Sequence, residues 1–258
     1  MRYFMSVILL LFCASIFSLP VLADRLPDVI DEVRGAVVGV GTAYPQRQPN
    51  RKGEPVTFLA TGFVVGNGLQ IISNAHVIPV NIDTDNKQSL AVFSGRGESA
   101  RAHPARVVRT DVEHDLVLLE ITGKPLPTLV LGDSDAVREG QEVAFTGFPI
   151  GVMLGLYPVT HRGIISAITP MARPAETSRT LTAAQLKRMR NPFNAFQLDA
   201  VAYPGNSGSP VYEPDSGRVI GVINSVFVKK TRESILTHPS GISYAIPVVY
   251  VHKLLNDG

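Results

Sequence analysis

The sequence predicts an all-β protein, built as paired β-barrels or a large sandwich, with a short helix near each end. Gly (22) and Pro (19) are plentiful, and only 18% of the 258 residues are charged. That balance suits a turn-rich β fold better than a helical bundle. Short apolar, β-prone runs bounded by turn residues recur along the chain, which is the pattern of many short strands. Apolar residues at helical spacing stand out at only two places, Leu26 to Val33 and Val248 to Asn256.

Taken in order, the chain begins with Met1 and Arg2, an apolar stretch from Val7 to Pro20, then Val21-Leu22-Ala23 and Asp24. An early positive charge, a short apolar core and a small-residue boundary describe a secretory signal peptide over residues 1–23. An uncleaved membrane anchor is the alternative; Pro20 and the Val-Leu-Ala boundary favour cleavage. A lipoprotein is disfavoured because bulky Phe12 precedes the single cysteine, Cys13. The expectation is an exported protein, periplasmic or secreted, with no stable membrane span after cleavage. The mature 235 residues carry 23 basic and 22 acidic side chains and no cysteine.

Leu26, Val29, Ile30 and Val33 then form the first amphipathic helix. Strands are expected over Val37–Tyr44, Phe58–Val65, Leu69–Ser73, Ala105–Arg109 and Leu116–Ile121. The Asn-Gly turn at Gly66-Asn67-Gly68 joins the second and third as a hairpin. Gly123–Thr128, with Pro125 and Pro127, is the expected linker between an N-terminal barrel (24–122) and a C-terminal barrel (129–258). Further strands are expected over Glu142–Gly147, Gly163–Ile168, Ala195–Ala200, Ser209–Glu213, Val219–Val226 and Ile242–Pro247. Gln46–Pro55 and Met171–Asn194 read as loops, the second long enough to be functional. Its basic run, Thr182–Arg190, reads as a solvated face.

A formal net charge of +2 gives no reason to expect a nucleic-acid partner. There is no metal-ligand spacing and no phosphate loop, and Gly62, Gly66 and Gly68 do not make a dinucleotide fingerprint. No cofactor and no metal are expected.

The chemistry lies in three segments. Pro204-Gly205-Asn206-Ser207-Gly208 offers a serine between glycines that permit tight backbone turns. Serine is a poor nucleophile unless a base takes its proton and donors await the oxyanion. The amides of Gly205 and Ser207 can converge on one oxygen, and the expected oxyanion hole comprises Gly205, Asn206 and Ser207. His76, in Asn74-Ala75-His76-Val77, follows an apolar strand and is the candidate base. Asp115, directly before Leu116-Val117-Leu118-Leu119, is the candidate orienting acid, with Asp111 and Glu113 as alternatives. His114 is the rival base, but neighbouring strand residues face opposite ways, so it reads as a solvent-facing neighbour. His76, Asp115 and Ser207 are 39 and 92 residues apart in turn. The order His, Asp, Ser is that of β-barrel serine proteases and not of subtilisins or α/β-hydrolases.

These segments resemble trypsin-like serine proteases of the HtrA (Deg) type. Thr61-Gly62-Phe63-Val64-Val65 leads into the histidine segment. Leu131-Gly132-Asp133-Ser134-Asp135, Gly147-Phe148-Pro149, Gly221-Val222-Ile223-Asn224 and Tyr244-Ala245-Ile246-Pro247 complete the likeness. It implies two six-stranded antiparallel β-barrels with the triad between them, and a serine endopeptidase acting on unfolded or damaged exported polypeptides through an acyl-enzyme. A chaperone-like or scaffold protein of the same fold is the alternative, and homo-oligomers are compatible with either. The likeness also implies a substrate pocket with Val201 and Ala202 at its floor and Asn224, Ser225 and Val226 as its wall. None of these is charged, so a small or medium apolar P1 residue is expected. Two features depart from the family: Ser209 stands where a second glycine is usual, and the chain stops at Gly258, so no PDZ domain is expected. Asn206 replaces the aspartate of digestive relatives and has no charge to pair with a new N-terminal amine. Activation by N-terminal cleavage is therefore not expected.

Overall fold

The computed structural model describes residues 24–45, 55–149, 156–171, 193–224 and 242–257. The expected signal peptide, Ser225 and Val226, and the 46–54 and 172–192 connections lie outside them.

Helix α1 (Leu26–Val33) starts where the Asp24 carboxylate accepts the Leu26 amide at 3.0 Å. It buries Leu26, Val29 and Val33, the stripe its spacing foretold. Six strands follow: β1 (Val37–Ala43), β2 (Val56–Val65), β3 (Gln70–Asn74), β4 (Ser89–Ser94), β5 (Arg101–Asp111) and β6 (Leu116–Ile121). They close into a barrel in the order β1-β2-β3-β6-β5-β4. The second six are β7 (Glu142–Gly147), β8 (Val159–Met171), β9 (Phe193–Asp199), β10 (Pro210–Tyr212), β11 (Val219–Ile223) and β12 (Ile242–Pro247). They close in the order β10-β11-β12-β9-β8-β7. Helix α2 (Val249–Asn256) packs back onto β5 and β6 of the first barrel. The fold is thus the expected all-β double barrel with two short helices.

Closure leaves neither barrel an unpaired edge, and the inward side chains of each fill its interior. Phe63, Ile72, Leu116 and Leu118, on one face of paired strands, are fully buried in the first. Phe145, Ile165, Phe196 and Leu198 fill the second. The β2–β3 hairpin turns at Gly66 and Gly68, both at positive φ, while Asn67 between them is not, so the turn is not the two-residue Asn-Gly type the sequence suggests.

The structure adds a strand that the sequence reading passed over: β4, whose Leu90-Ala91-Val92-Phe93 is a short run between polar residues. β5 and β8 are longer than expected, and Met171, Phe193 and Asn194 belong to strands, not to the loop they were assigned to. The stretch between the barrels lies against the first one. The Leu126 amide donates to Gly68 O and the Leu129 amide to Val64 O, both at 2.9 Å.

Candidate active site

β3 ends at Asn74 and passes into a single 3₁₀ turn, Ala75–Val77, anchored by buried Val77. Two donors fix where this turn sits. The Ala75 amide (3.0 Å) and the Asn74 side-chain amide (3.1 Å) both donate to the carbonyl of Asp115. His76 is thereby carried to the barrel rim, its side chain 23% exposed.

Asp115 ends the β5–β6 turn at φ 57°, the left-handed region that costs most residues about 1–2 kcal/mol. Aspartate is one of the few side chains that visit it often. The strained turn directs the carboxylate inward, where it is 5% exposed and meets three donors. The His76 amide donates to Oδ1 at 2.9 Å. The His76 ring meets Oδ2 through Nδ1 at 2.7 Å, and the Asn224 side-chain amide donates to the same oxygen at 2.7 Å. A carboxylate can only accept, so Nδ1 carries the imidazole proton and Nε2 is left as an acceptor. Ser207 Oγ lies 3.2 Å from that Nε2, placed to donate to it.

Ser207 sits in a tight turn. The Asn206 amide donates to Tyr203 O and the Ser209 amide to Asn206 O, both at 3.0 Å. Gly208 follows at φ 84°, and a Cβ there would stand 2.1 Å from the carbonyl oxygen of Thr61. Only glycine permits that approach of the two backbones. Thr61, in the middle of β2, binds this turn from the first barrel. Its amide donates to Ser207 O at 2.9 Å and its hydroxyl to Gly205 O at 2.7 Å. The same hydroxyl accepts the Phe148 amide at 3.0 Å. Thr61 lies in Thr61-Gly62-Phe63-Val64-Val65, and nothing in that local run points to a contact with the other barrel.

His76, Asp115 and Ser207 are thus brought together from three distant segments, and Asp111 and Glu113 are not the acids at His76. Two readings need correction. Asn206 was expected among the oxyanion donors, but its amide is committed to Tyr203 O, and its wholly buried side chain has no hydrogen-bond partner among the described residues. His114 is not solvent-facing. Its side chain is 15% exposed and stacks on Tyr250, because the left-handed Asp115 breaks the strand alternation on which the expectation rested. Ala202 is buried and Val201 half-buried beside the Ser207 turn. Asn224 directs its side chain to Asp115 instead of lining a pocket wall with it.

Among the described residues no group of three His, Cys, Asp or Glu side chains is placed to hold a metal, and no helix is long and apolar enough to cross a membrane. A cavity of about 470 Å³ lies beside α2, lined by Asp135, Phe193 and Tyr250 among others, and none of the three site residues faces it.

The model of the trypsin-like peptidase domain matches residues 60–222, a span that contains His76, Asp115 and Ser207. A probable periplasmic serine endoprotease DegP-like from Halomonas elongata is 31% identical over 241 residues, covering 91% of this chain and 43% of that protein. The mitochondrial serine protease HTRA2 of Drosophila willistoni is 32% identical over 232 residues, covering 89% and 45%. The chain therefore spans less than half the length of these relatives. Among solved structures, the HtrA-type protease AlgW with tripeptide superposes at a TM-score of 0.61 with 24% identity, covering 89% of this chain and 62% of that one. At that identity the likeness speaks for the fold.

Proposed function

Because the chain belongs to the trypsin-like peptidase family and is of its HtrA type, we propose that it is a serine endopeptidase that works through His76, Asp115 and Ser207. One observation carries the reading: the His76 ring bridges Asp115 at 2.7 Å and Ser207 at 3.2 Å, in the tautomer a general base needs. Ser207 Oγ attacks the substrate carbonyl as His76 Nε2 takes its proton. Asp115 stabilises the imidazolium, and its hold on both the amide and the ring of His76 keeps the imidazole aimed. The amides of Gly205 and Ser207 face the developing oxyanion, while Thr61 fixes the carbonyls of those same two residues. His76 returns the proton to the departing amine. Water then repeats the sequence on the acyl-enzyme.

The substrates are unfolded or damaged exported polypeptides, in keeping with the periplasmic relatives, and signal-peptide cleavage after Ala23 delivers the enzyme to them. The pocket is floored by Val201 and Ala202, which offer no charge to a P1 side chain, and Ser225 and Val226 complete its wall. Activity does not await a new N-terminus, since Asn206 is uncharged and its surroundings are closed.

The test compares the purified protein with Ser207→Ala on unfolded casein, together with labelling by a fluorophosphonate. Removing the nucleophile should abolish labelling and lower cleavage by several orders of magnitude without unfolding the protein. Equal cleavage by both proteins would refute the mechanism. Suppression of casein aggregation by both, with cleavage by neither, would establish the chaperone-like alternative.

A further inference from the structure

We propose that Asp111 and His114 are positioning residues for Asp115, forming a clamp that ties the turn bearing the catalytic carboxylate to the second barrel. The inference rests on the triad reading above. Within five residues the chain uses one device twice. Asp115 takes the amide of His76 at 2.9 Å and its ring at 2.7 Å. Asp111 takes the amide of His114 at 3.0 Å and its ring at 2.6 Å. The first pair faces the nucleophile; the second has no chemistry to perform there. Burial alone would raise the Asp111 carboxyl, but the His114 ring and amide outweigh it and hold the group below the usual carboxylate range.

What the second pair holds is visible on the other side of the imidazole. The His114 ring stacks on Tyr250 with centroids 3.7 Å apart and planes 18° off parallel. Phe193 meets it edge-on at 4.9 Å and meets Tyr250 at 5.4 Å. Phe193 opens β9 of the second barrel, and Tyr250 lies on α2, which follows that barrel's last strand. The residue immediately before Asp115 is therefore gripped by the same half of the chain that supplies Ser207 and Asn224.

The grip matters because Asp115 is left-handed at φ 57°. A non-glycine residue keeps such a conformation only where its surroundings over-determine it. Asn74, Ala75, His76 and Asn224 hold the carbonyl and the carboxylate. The Asp111–His114 clamp holds the chain on the N-terminal side. An aspartate that merely caps a turn needs the amide bond alone. The ring bond and the aromatic stack go beyond that need, and they reach the other barrel.

The experiment uses the full protein and three variants: His114→Ala, Asp111→Ala and His114→Phe. The last keeps an aromatic ring on Tyr250 and removes the ring nitrogen that meets Asp111. kcat, KM and the pH profile of a peptide substrate are measured well below each melting temperature. The low-field proton resonance of the His76 Nδ1–H is recorded alongside. Displacing a catalytic group by a fraction of an ångström is costly, so kcat should fall about ten-fold or more in the alanine variants, with KM within about two-fold. The shape of the profile and the resonance should both change, since each reports the contact between Asp115 and His76. His114→Phe should fall between them and wild type, and it serves if the alanine variants fail to fold. Lower melting temperatures with wild-type kcat, profile and resonance would overturn the clamp. The resonance needs no turnover, so the two readings can be separated. A protein that cleaves nothing, yet whose resonance moves in the variants, loses the peptidase reading and keeps the clamp.

Discussion

The amide of Thr61 donates to the carbonyl of Ser207 at 2.9 Å, so the first barrel grips the candidate nucleophile by its own backbone. The hydroxyl of Thr61 adds a second bridge, from Gly205 O at 2.7 Å to the Phe148 amide at 3.0 Å. Both residues whose amides would bind the oxyanion are thus registered by a single buried threonine. Thr61→Val keeps the shape but strands a half-buried carbonyl and a buried amide, the amide alone worth about 1–3 kcal/mol. The melting temperature should drop and kcat should fall about ten-fold as the nucleophile turn loosens. Thr61→Ser should restore most of both. A valine variant with wild-type kcat and stability would show that the bridge is idle.

Gly208 and Gly140 share a φ of 84° but differ in what surrounds them. A Cβ at Gly140 meets nothing within 4 Å, whereas one at Gly208 meets Thr61 O at 2.1 Å and Ser73 Oγ at 2.5 Å. Gly140→Ala should lower stability by only about 1 kcal/mol, the cost of the conformation. Gly208→Ala adds a backbone clash between the barrels and should cost several times more, with loss of fluorophosphonate labelling. Urea denaturation of the two variants makes the comparison.

Asn224 donates to Asp115 Oδ2 at 2.7 Å from a fully buried site. A hydrogen bond to a charged acceptor contributes about 1.5–3 kcal/mol. Asn224→Ala should therefore lower kcat by about ten- to hundred-fold, with a smaller effect on KM. Asn224→Asp should be worse, because a second buried carboxylate opposes ionisation of the first. Its residual activity should rise with pH as the two carboxylates give up the proton they share. Steady-state kinetics across pH distinguishes the two variants.

His161 stacks on Phe145 at 4.7 Å, and burial lowers its pKa below the ordinary 6.5. His103 is lowered too, by burial first and then by Arg101. In both cases the unfolded chain binds the proton more readily than the folded one. Their contribution to stability is therefore present above pH 6.5 and is lost as pH falls through that value towards the lower folded pKa. The melting temperature should decline between pH 7.5 and pH 5. His161→Phe, which keeps the stack, should decline less steeply. Parallel curves for variant and wild type would remove His161 from the account.

The three site residues were legible because each has a local signature: the glycine-flanked serine, the histidine after an apolar strand, and the aspartate before a buried one. The double barrel followed from the same motifs and from the apolar runs. What stayed hidden depends on geometry that no local pattern carries. His114 was misread because period-two alternation was applied across a turn that Asp115 takes left-handed. Asn224 was expected to shape a pocket, and its bond to Asp115 spans 109 residues. Thr61 reads as an ordinary strand residue until the other barrel is placed against it. The short apolar run of β4 fits loop or strand equally until β1 and β5 flank it.

His76 and Ser207 meet across 131 residues of chain, and their meeting requires both barrels to be closed and docked. Contacts of that span bear the full entropy of loop closure, so they form late. The pairing of His76 with Ser207 accordingly arrives with the last stage of folding, and no fragment that holds only one barrel carries it. On the proposed reading, a chain that cleaves unfolded polypeptides cannot act while it is itself still unfolded.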